Sequence, residues 1–217
     1  MRPADAWQIW NEPSNNASAA WGDEAGMARG YAALLTASDD AIKTSANPTA
    51  RVAMAGLAKN ANNFLKLMQA DVPSLNSHYD VLDLHAYANS PTAVLNRVSS
   101  FRQAADQIGA TSKPIWISEV GWDSCLEPDR NYPAKCQQPS GLTTNAAGQR
   151  QDLVGMYSLL AKNHAKYDLE RVAWYGYRDP DPKNANCSFC PGSGLFYRDG
   201  TAKPAWAAYA ALAGGKP

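Results

Sequence analysis

Two glutamates give the clearest chemical signal in this sequence of 217 residues. Glu12 lies in the stretch WQIWNEP, where alternating apolar residues predict a buried strand that Pro13 ends. Glu119 lies in PIWISEVGW, a second apolar run that leads into a turn containing glycine. A surface turn can also carry Asn-Glu-Pro. Two strand ends that each present a glutamate beside aromatic residues nevertheless predict a carboxylate pair facing one site.

Hydrophobic periodicity predicts five strands that alternate with five helices. This order indicates an α/β fold with a parallel sheet, and parallel α/β enzymes place their chemistry at the carboxyl ends of the strands. A doubly wound sheet has the same order, but no glycine-rich phosphate loop follows any strand, which disfavours nucleotide binding. The predicted strands are Ala6–Trp10, Arg51–Leu57, Tyr79–Ala88, Pro114–Trp122 and Arg171–Tyr177, the helices are Asp23–Ser45, Asn60–Asp71, Pro91–Ile108, Thr143–Lys166 and Lys203–Leu212, and Leu195–Gly200 is predicted as a hairpin.

The composition limits the classes of partner. Twenty acidic residues balance twenty basic ones, so we expect no nucleic-acid partner and no attraction to an anionic membrane. No apolar run is long enough for a transmembrane helix. The three histidines, His78, His85 and His164, lack paired ligand spacing, and neither a metal nor another cofactor is predicted. Seven Trp and ten Tyr suit stacking against sugars, although most aromatic side chains fill protein cores.

The four cysteines form two local pairs, Cys125 with Cys136 and Cys187 with Cys190. Pairing within each couple is the simplest of the three possible connectivities. The second pair has zinc or redox spacing, but its loop is rich in Asn, Pro and Gly and opens no helix. Loop-closing disulfides in an exported enzyme therefore fit better than a metal site. We predict a secreted or extracytoplasmic protein, although no signal peptide stands before the first strand.

The strand ending in NEP, followed three strands later by a strand ending in SE-x-GW, resembles the clan A glycoside hydrolases of the family 5 and family 39 type. Those enzymes are (β/α)8 barrels. The resemblance implies that Glu12 is the general acid/base and Glu119 the nucleophile. The tail LFYRDGTAKPAW is similar to the end of such barrels, so the five strands would be strands four to eight. Residues 1–217 would then form a single truncated catalytic domain.

The resemblance also implies roles for five further residues. Asn11 would hydrogen-bond the 2-hydroxyl of the sugar, and Trp174 would form the aromatic floor beneath it. His85 and Tyr87 match positions that hold the nucleophile or touch the sugar, and Trp122 would line the cleft. Each has a structural alternative: Asn11 suits a turn, Trp174, His85 and Tyr87 suit a core, and Trp122 could pack under the following loop.

The implied activity is a retaining hydrolase that cleaves a β-linked poly- or oligosaccharide. The two carboxyl groups of such enzymes lie about 5–5.5 Å apart, so we expect the carboxyl oxygens of Glu12 and Glu119 within roughly 4–7 Å. An ionised Glu119 should raise the pKa of Glu12 and keep it protonated. The alternative is a non-catalytic, carbohydrate-binding remnant of such a barrel.

The first three strands of the barrel family have no counterpart here. We therefore expect unpaired strand edges and an apolar face that needs a cover. Self-association, or a chain that supplies the missing half of the barrel, would cover it.

Overall fold

A computed structural model describes residues 4–15, 22–45, 47–126, 141–181 and 190–214. Strands and helices alternate along the chain, which confirms the α/β prediction. Short 3₁₀ turns lie at Leu75–Ser77 and Cys190–Gly192. The elements are β1 (Ala6–Gln8), α1 (Glu24–Lys43), β2 (Arg51–Ala53), α2 (Ala61–Asp71), β3 (Leu82–His85), α3 (Pro91–Gln107), β4 (Ile115–Val120), α4 (Ala146–Tyr167), β5 (Leu169–Trp174) and α5 (Pro204–Leu212).

The described strands pair in chain order. β1 and β2 are parallel, with Trp7 opposite Val52, and β3, β4 and β5 are neighbours in a three-stranded sheet. Single parallel bridges, Ala53 with Val81 and Leu57 with Leu84, join the two groups. Sequential parallel pairing with a helix between strands is the arrangement of βαβ units.

The chain divides into two compact units. The first unit contains Met1–Ala86, Val98–Ser118 and His164–Val172, and the second contains Tyr87–Arg97, Glu119–Asn163 and Ala173–Pro217. Glu12 therefore belongs to the first unit and Glu119 to the second, as do the strand ends that carry them.

Tyr31 organises the core of the first unit. It lies on the buried face of α1 with no solvent exposure, and its ring contacts Phe64 of α2 at 6.3 Å between centroids. Its hydroxyl donates to the carbonyl of Ile9 at 3.0 Å and accepts from the amide of Ala55. Because Ile9 follows β1 and Ala55 follows β2, this one side chain fixes the carboxyl ends of both strands.

Aromatic side chains and α4 form the core of the second unit. Trp122 and Trp174 pack with ring centroids 6.1 Å apart, and Leu153 and Met156 of α4 are buried. Near α5, Phe196 packs against Trp206 at 4.8 Å. This part of the chain is therefore held mainly by large apolar rings, whose burial is a strong stabilising contribution.

Side chains cap the starts of α1 and α4; α1 begins within one residue of its predicted start, whereas α4 begins three residues after the predicted Thr143. Asp23 accepts from the amide of Gly26 at 2.9 Å at the start of α1, and Asn145 accepts from Gly148 at 2.8 Å at the start of α4. These side chains satisfy amide groups that have no partner within the helix. Pro204 begins α5, a position where its missing amide hydrogen costs nothing.

The observed strands are shorter than predicted. β3 ends at His85 rather than Ala88, so Tyr87 lies beyond the strand. The hairpin at Leu195–Gly200 is reduced to a single antiparallel bridge between Phe196 and Ala202. None of the helices in the described part of the chain has the length and apolar content of a membrane span.

Candidate active site

Glu12 lies in a sharp backbone turn after β1. Trp10 has φ 70° and Glu12 has φ 46°, both in the left-handed region that large side chains rarely adopt. The amide of Ile9 donates to the carbonyl of Ala53 at 3.0 Å, so the parallel ladder continues almost to the turn. Residues held in this region cost free energy and occur often at functional sites. The sequence predicted the end of the strand but not this backbone conformation.

The carboxylate of Glu12 is held from two sides. His85 Nδ1 lies 2.7 Å from Oε1, and Asn15 Nδ2 donates to Oε2. The hydrogen bond from His85 is the main reason that the pKa of Glu12 is lowered from its usual 4.5; burial opposes this effect, while the charge of His85 and the contact with Asn15 add to it. This direction corrects our expectation of a raised pKa, because the sequence did not reveal the two donors.

Buried polar groups hold His85 in turn. Its Nε2 lies 3.1 Å from Ser118 Oγ, and the amide of Ser118 donates to Asp83 Oδ1 at 3.1 Å. Gln8 Nε2 donates to Asp83 Oδ2 at 2.9 Å. Asp83 has no solvent exposure, and burial raises its pKa to about 6. The series from Asp83 through Ser118 and His85 therefore connects a buried carboxyl group to Glu12.

Gly56 completes the surroundings of His85. A Cβ atom at Gly56 would overlap the imidazole ring, so only glycine leaves room for His85 at this position. Sequence reasoning missed the roles of Gln8, Asn15, Asp83 and Ser118. Two signals were present, since Asp83 shares a strand face with His85 two residues later and Ser118 immediately precedes Glu119.

Glu119 is half-buried near the end of β4. The hydroxyl of Tyr87 donates to Glu119 Oε2 at 2.9 Å, which fixes the orientation of the carboxylate. The ring of Tyr87 meets Tyr175 edge-on, with centroids 6.2 Å apart. At Gly121 a Cβ atom would lie 2.6 Å from the carbonyl oxygen of Tyr175, so glycine is required for this close approach.

The two candidate tryptophans differ in exposure. Trp174 is 8% exposed and its Nε1 donates to the carbonyl of Ser193 at 2.9 Å. Trp122 is 1% exposed and packs against Trp174. This burial favours the packing alternative for Trp122, and its place in the lining of the cleft stays a prediction.

Several predicted positions remain without a structural outcome. Asn11 is exposed in the turn before Glu12. Cys125 is buried, whereas Cys136, Cys187 and the side chain of Cys190 lie outside the described residues. Both disulfides therefore stay predictions. The separation of the Glu12 and Glu119 carboxylates, which belong to different units, also stays a prediction.

A group of possible metal ligands lies elsewhere in the first unit. His78 Nδ1 is 3.4 Å from Asp39 Oδ2 and 3.8 Å from Asp40 Oδ1, and one atom from each residue lies within 4.8 Å of the others. The same distances describe an ordinary ion pair, and nothing else at this position selects a metal. We assign no cofactor role to these residues.

Comparison with known proteins gives one family and a group of similar folds. The family model described as "Glycosyl hydrolase catalytic core" matches residues 5–209. No curated protein sequence matches the chain. The family 53 glycoside hydrolase catalytic domain of Ignisphaera aggregans has a TM-score of 0.65 and is 18% identical, over 96% of this chain and 59% of that one.

Two further solved structures have the same fold. A family 39 β-xylosidase from Caulobacter crescentus has a TM-score of 0.61 and 22% identity, over 98% of this chain and 42% of its own. A structure of fungal β-1,4-galactanases has a TM-score of 0.61 and 19% identity, over 94% of this chain and 61% of its own. The chain thus spans about 40 to 60% of these proteins and has the fold of part of a (β/α)8 barrel.

Proposed function

The chain belongs to the glycosyl hydrolase catalytic core family, and on this premise we propose that it is a retaining glycoside hydrolase that acts on β-linked sugars. The observation that carries the proposal is the family match over residues 5–209, which includes both strand-end glutamates. Further support comes from the chemistry around each glutamate. We further propose that the protein is secreted and that its loops contain the two predicted disulfides.

Glu119 is the proposed nucleophile. In the first step its carboxylate attacks the anomeric carbon while Glu12 gives a proton to the departing oxygen. In the second step Glu12 takes a proton from water, whose oxygen attacks the same carbon and releases Glu119. The hydrogen bond from Tyr87 supports this role, because it holds the carboxylate in one orientation for the attack.

Glu12 is the proposed general acid/base. Its contact with His85 Nδ1 favours the ionised form, which is the base needed in the second step. For the first step Glu12 must be protonated, and a lowered pKa makes that form scarcer as the pH rises. The proposal therefore implies an acidic optimum for the first step.

Asn11 and Trp174 are the proposed sugar-binding residues. Asn11 is exposed in the turn beside Glu12, where its amide can donate to the sugar 2-hydroxyl. Trp174 offers an apolar ring of the kind on which sugars stack, with its indole N–H already bonded to Ser193. The substrate would be a carbohydrate with a β-linkage, and the xylosidase and galactanase similarities make β-xylosides and β-galactosides the first candidates.

The experiment measures release of the aryl group from β-xylosides, β-galactosides and β-glucosides. We expect release by the 217-residue chain and its loss, by at least about a thousandfold, in Glu119→Gln, because no nucleophile then remains. Glu170→Gln is the matched control: Glu170 also lies on a strand, but near the start of β5, where it pairs with Arg51 at 2.7 Å. An exposed ion pair of this kind contributes little, so activity should persist.

The division of roles has its own test. In Glu12→Gln, kcat/KM, which reports the first step, should fall little for aryl glycosides with good leaving groups, which need no proton, and much more for poor ones. Equal losses on every substrate would contradict the acid role. Binding of sugars without turnover by the unaltered chain would instead favour a non-catalytic carbohydrate-binding protein.

A further inference from the structure

Lys203 is a buried cation that the proposed chemistry does not use. Its side chain has no solvent exposure and lies immediately before α5. Its Nζ donates to Asp179 Oδ1 at 2.8 Å, to Ser124 Oγ at 2.9 Å and to the carbonyl of Gly192 at 2.7 Å. A buried ammonium group costs several kcal/mol unless it is paired and fully hydrogen-bonded. Here all three of its N–H groups have partners.

These three partners come from separate segments of the second unit. Ser124 follows β4, Asp179 follows β5, and Gly192 ends a short 3₁₀ turn. The ammonium group therefore joins the segments after two neighbouring strands to the start of the last helix. A single buried cation with oxygen partners from three segments acts much as a bound metal ion does in ordering loops.

The segment Gly192–Gly194 is hydrogen-bonded both to Lys203 and to two of its partners. The carbonyl of Gly192 also accepts from the amide of Ser124 at 3.0 Å, and the amide of Gly194 donates to Asp179 Oδ1 at 2.8 Å. A Cβ atom at Gly192 would overlap Asp123 Oδ1, and one at Gly194 would overlap the amide of Asp179. The segment is thus closely packed, and a shift of its hydrogen-bond partners would move the segment as well.

Ser193, the middle residue of this segment, is hydrogen-bonded to Trp174, the proposed aromatic floor beneath the sugar. The carbonyl of Ser193 accepts from Trp174 Nε1 at 2.9 Å, and Ser193 is 2% exposed. The indole ring also packs against Trp122, an apolar contact that is less directional than a hydrogen bond. The bond to Ser193 therefore fixes the rotation of the ring, and Lys203 fixes the two residues on either side of Ser193 directly or through Asp179.

We propose that Lys203 is a positioning residue for Trp174, holding the Gly192–Gly194 segment so that the indole ring keeps one orientation. The functional consequence rests on the proposed glycosidase activity, in which this ring supports the sugar. The positioning itself is a property of the second unit alone. Lys203 touches no substrate in this proposal.

The direct test measures hydrogen exchange of the indole N–H groups by NMR on protein labelled with ¹⁵N-tryptophan. The Trp174 resonance is assigned by its loss in Trp174→Phe. In Lys203→Met, which keeps a similar length without the charge, we expect Trp174 Nε1–H to exchange at least about tenfold faster, because the segment opens more often. Lys162→Met, at an exposed position of α4, is the matched control and should leave the rate unchanged.

An internal reference separates local loosening from general destabilisation. Trp116 Nε1 donates to Glu170 Oε2 at 2.7 Å within the first unit. Its exchange should remain as in the unaltered protein. An unchanged Trp174 rate, or an equal acceleration of Trp116 and Trp174, would overturn the proposal. If Lys203→Met does not fold, Ser124→Ala removes one partner of Lys203 and one donor to Gly192, and a smaller acceleration confined to Trp174 is expected; no acceleration there would also overturn it.

Kinetics with an aryl glycoside give the functional readout. Because a stacked ring binds substrate and transition state alike, Lys203→Met should raise KM several-fold and change kcat less. The two proposals fail separately. Faster Trp174 exchange in a protein that cleaves no glycoside would uphold the positioning role and overturn the glycosidase. Glycoside cleavage by a protein in which Lys203→Met leaves the exchange rate of Trp174 Nε1–H unchanged would uphold the glycosidase and overturn the positioning role.

Discussion

At the scale of single residues, the pKa of Glu12 depends on the side chains that contact its carboxylate. His85 Nδ1 and Asn15 Nδ2 both contact its carboxylate and lower its pKa. A general acid with a lowered pKa is effective only where enough of it is protonated, so the alkaline limb of the rate profile should lie at acidic pH. His85 consequently sets the working range of the proposed acid.

We predict that His85→Gln moves this limb to higher pH. Removing the principal cause of the lowered pKa lets Glu12 keep its proton further up the pH scale, so the sign of the shift is upward. The measurement is kcat/KM against pH with a poor leaving group, for which protonation matters. His164→Gln, at an exposed position in the last turn of α4, is the control and should leave the limb in place. A downward shift in His85→Gln would contradict this account.

At the scale of elements, the strand ends depend on side chains from the helices. The Tyr31 hydroxyl of α1 joins the backbone after β1 to that after β2. Since the turn bearing Glu12 follows Ile9 directly, α1 contributes to the position of the proposed acid without touching it.

Tyr31→Phe should therefore weaken both stability and activity. It leaves a buried carbonyl at Ile9 and a buried amide at Ala55 without this partner, which costs about 1–3 kcal/mol. Urea unfolding measures the loss, and Tyr177→Phe is the matched control because Tyr177 is 71% exposed. Equal stability of Tyr31→Phe and the unaltered protein would show that the bridge contributes nothing.

The two predicted disulfides belong to the parts of the chain that follow β4 and β5. Cys125–Cys136 would close a loop of about a dozen residues, which corresponds to about 3 kcal/mol in the chain-entropy model. Cys187–Cys190 would close a much shorter loop with little entropic effect. Thiol titration of unfolded, non-reduced protein should find no free cysteine, whereas four free thiols would refute both pairs.

The order of elements could be predicted from the sequence because strand and helix periods are local properties of the chain. The start of α1 was predicted at Asp23, which bonds an amide only three residues away. The start of α4 was predicted at Thr143, but the helix begins at Ala146, after its cap Asn145. The contacts of Glu12 could not be predicted in this way. His85 is 73 residues from Glu12, and Lys203 is 79 residues from Ser124, so both contacts depend on how distant segments fold together.

At the scale of the whole molecule, the strand edges have the largest consequence. Within the described residues, β1 pairs only with β2, and β5 pairs only with β4. Trp7 of β1 is 50% exposed and Trp10 is 60% exposed. Parallel strands normally have both faces covered and both edges paired, because unpaired edges favour association.

We predict that the 217-residue chain self-associates through such surfaces. Light scattering should give a mass that rises with concentration, and Trp7→Lys should lower it by placing a charge on the exposed strand. The exposed Leu212, at the end of α5, offers a control in Leu212→Lys. A monodisperse monomer at every concentration, with a cooperative thermal transition, would contradict this prediction.

The central claim is that Glu119 forms a covalent bond to the sugar with Glu12 as its acid/base. The most direct measurement is labelling with activated 2-deoxy-2-fluoro β-glycosides of xylose, galactose and glucose, followed by intact mass and peptide mapping. Such reagents trap the glycosyl-enzyme because they slow its hydrolysis more than its formation. We predict one added sugar per chain, located on Glu119 and absent in Glu119→Gln. A sugar attached to another residue, or no labelling by any of the reagents, would contradict the account.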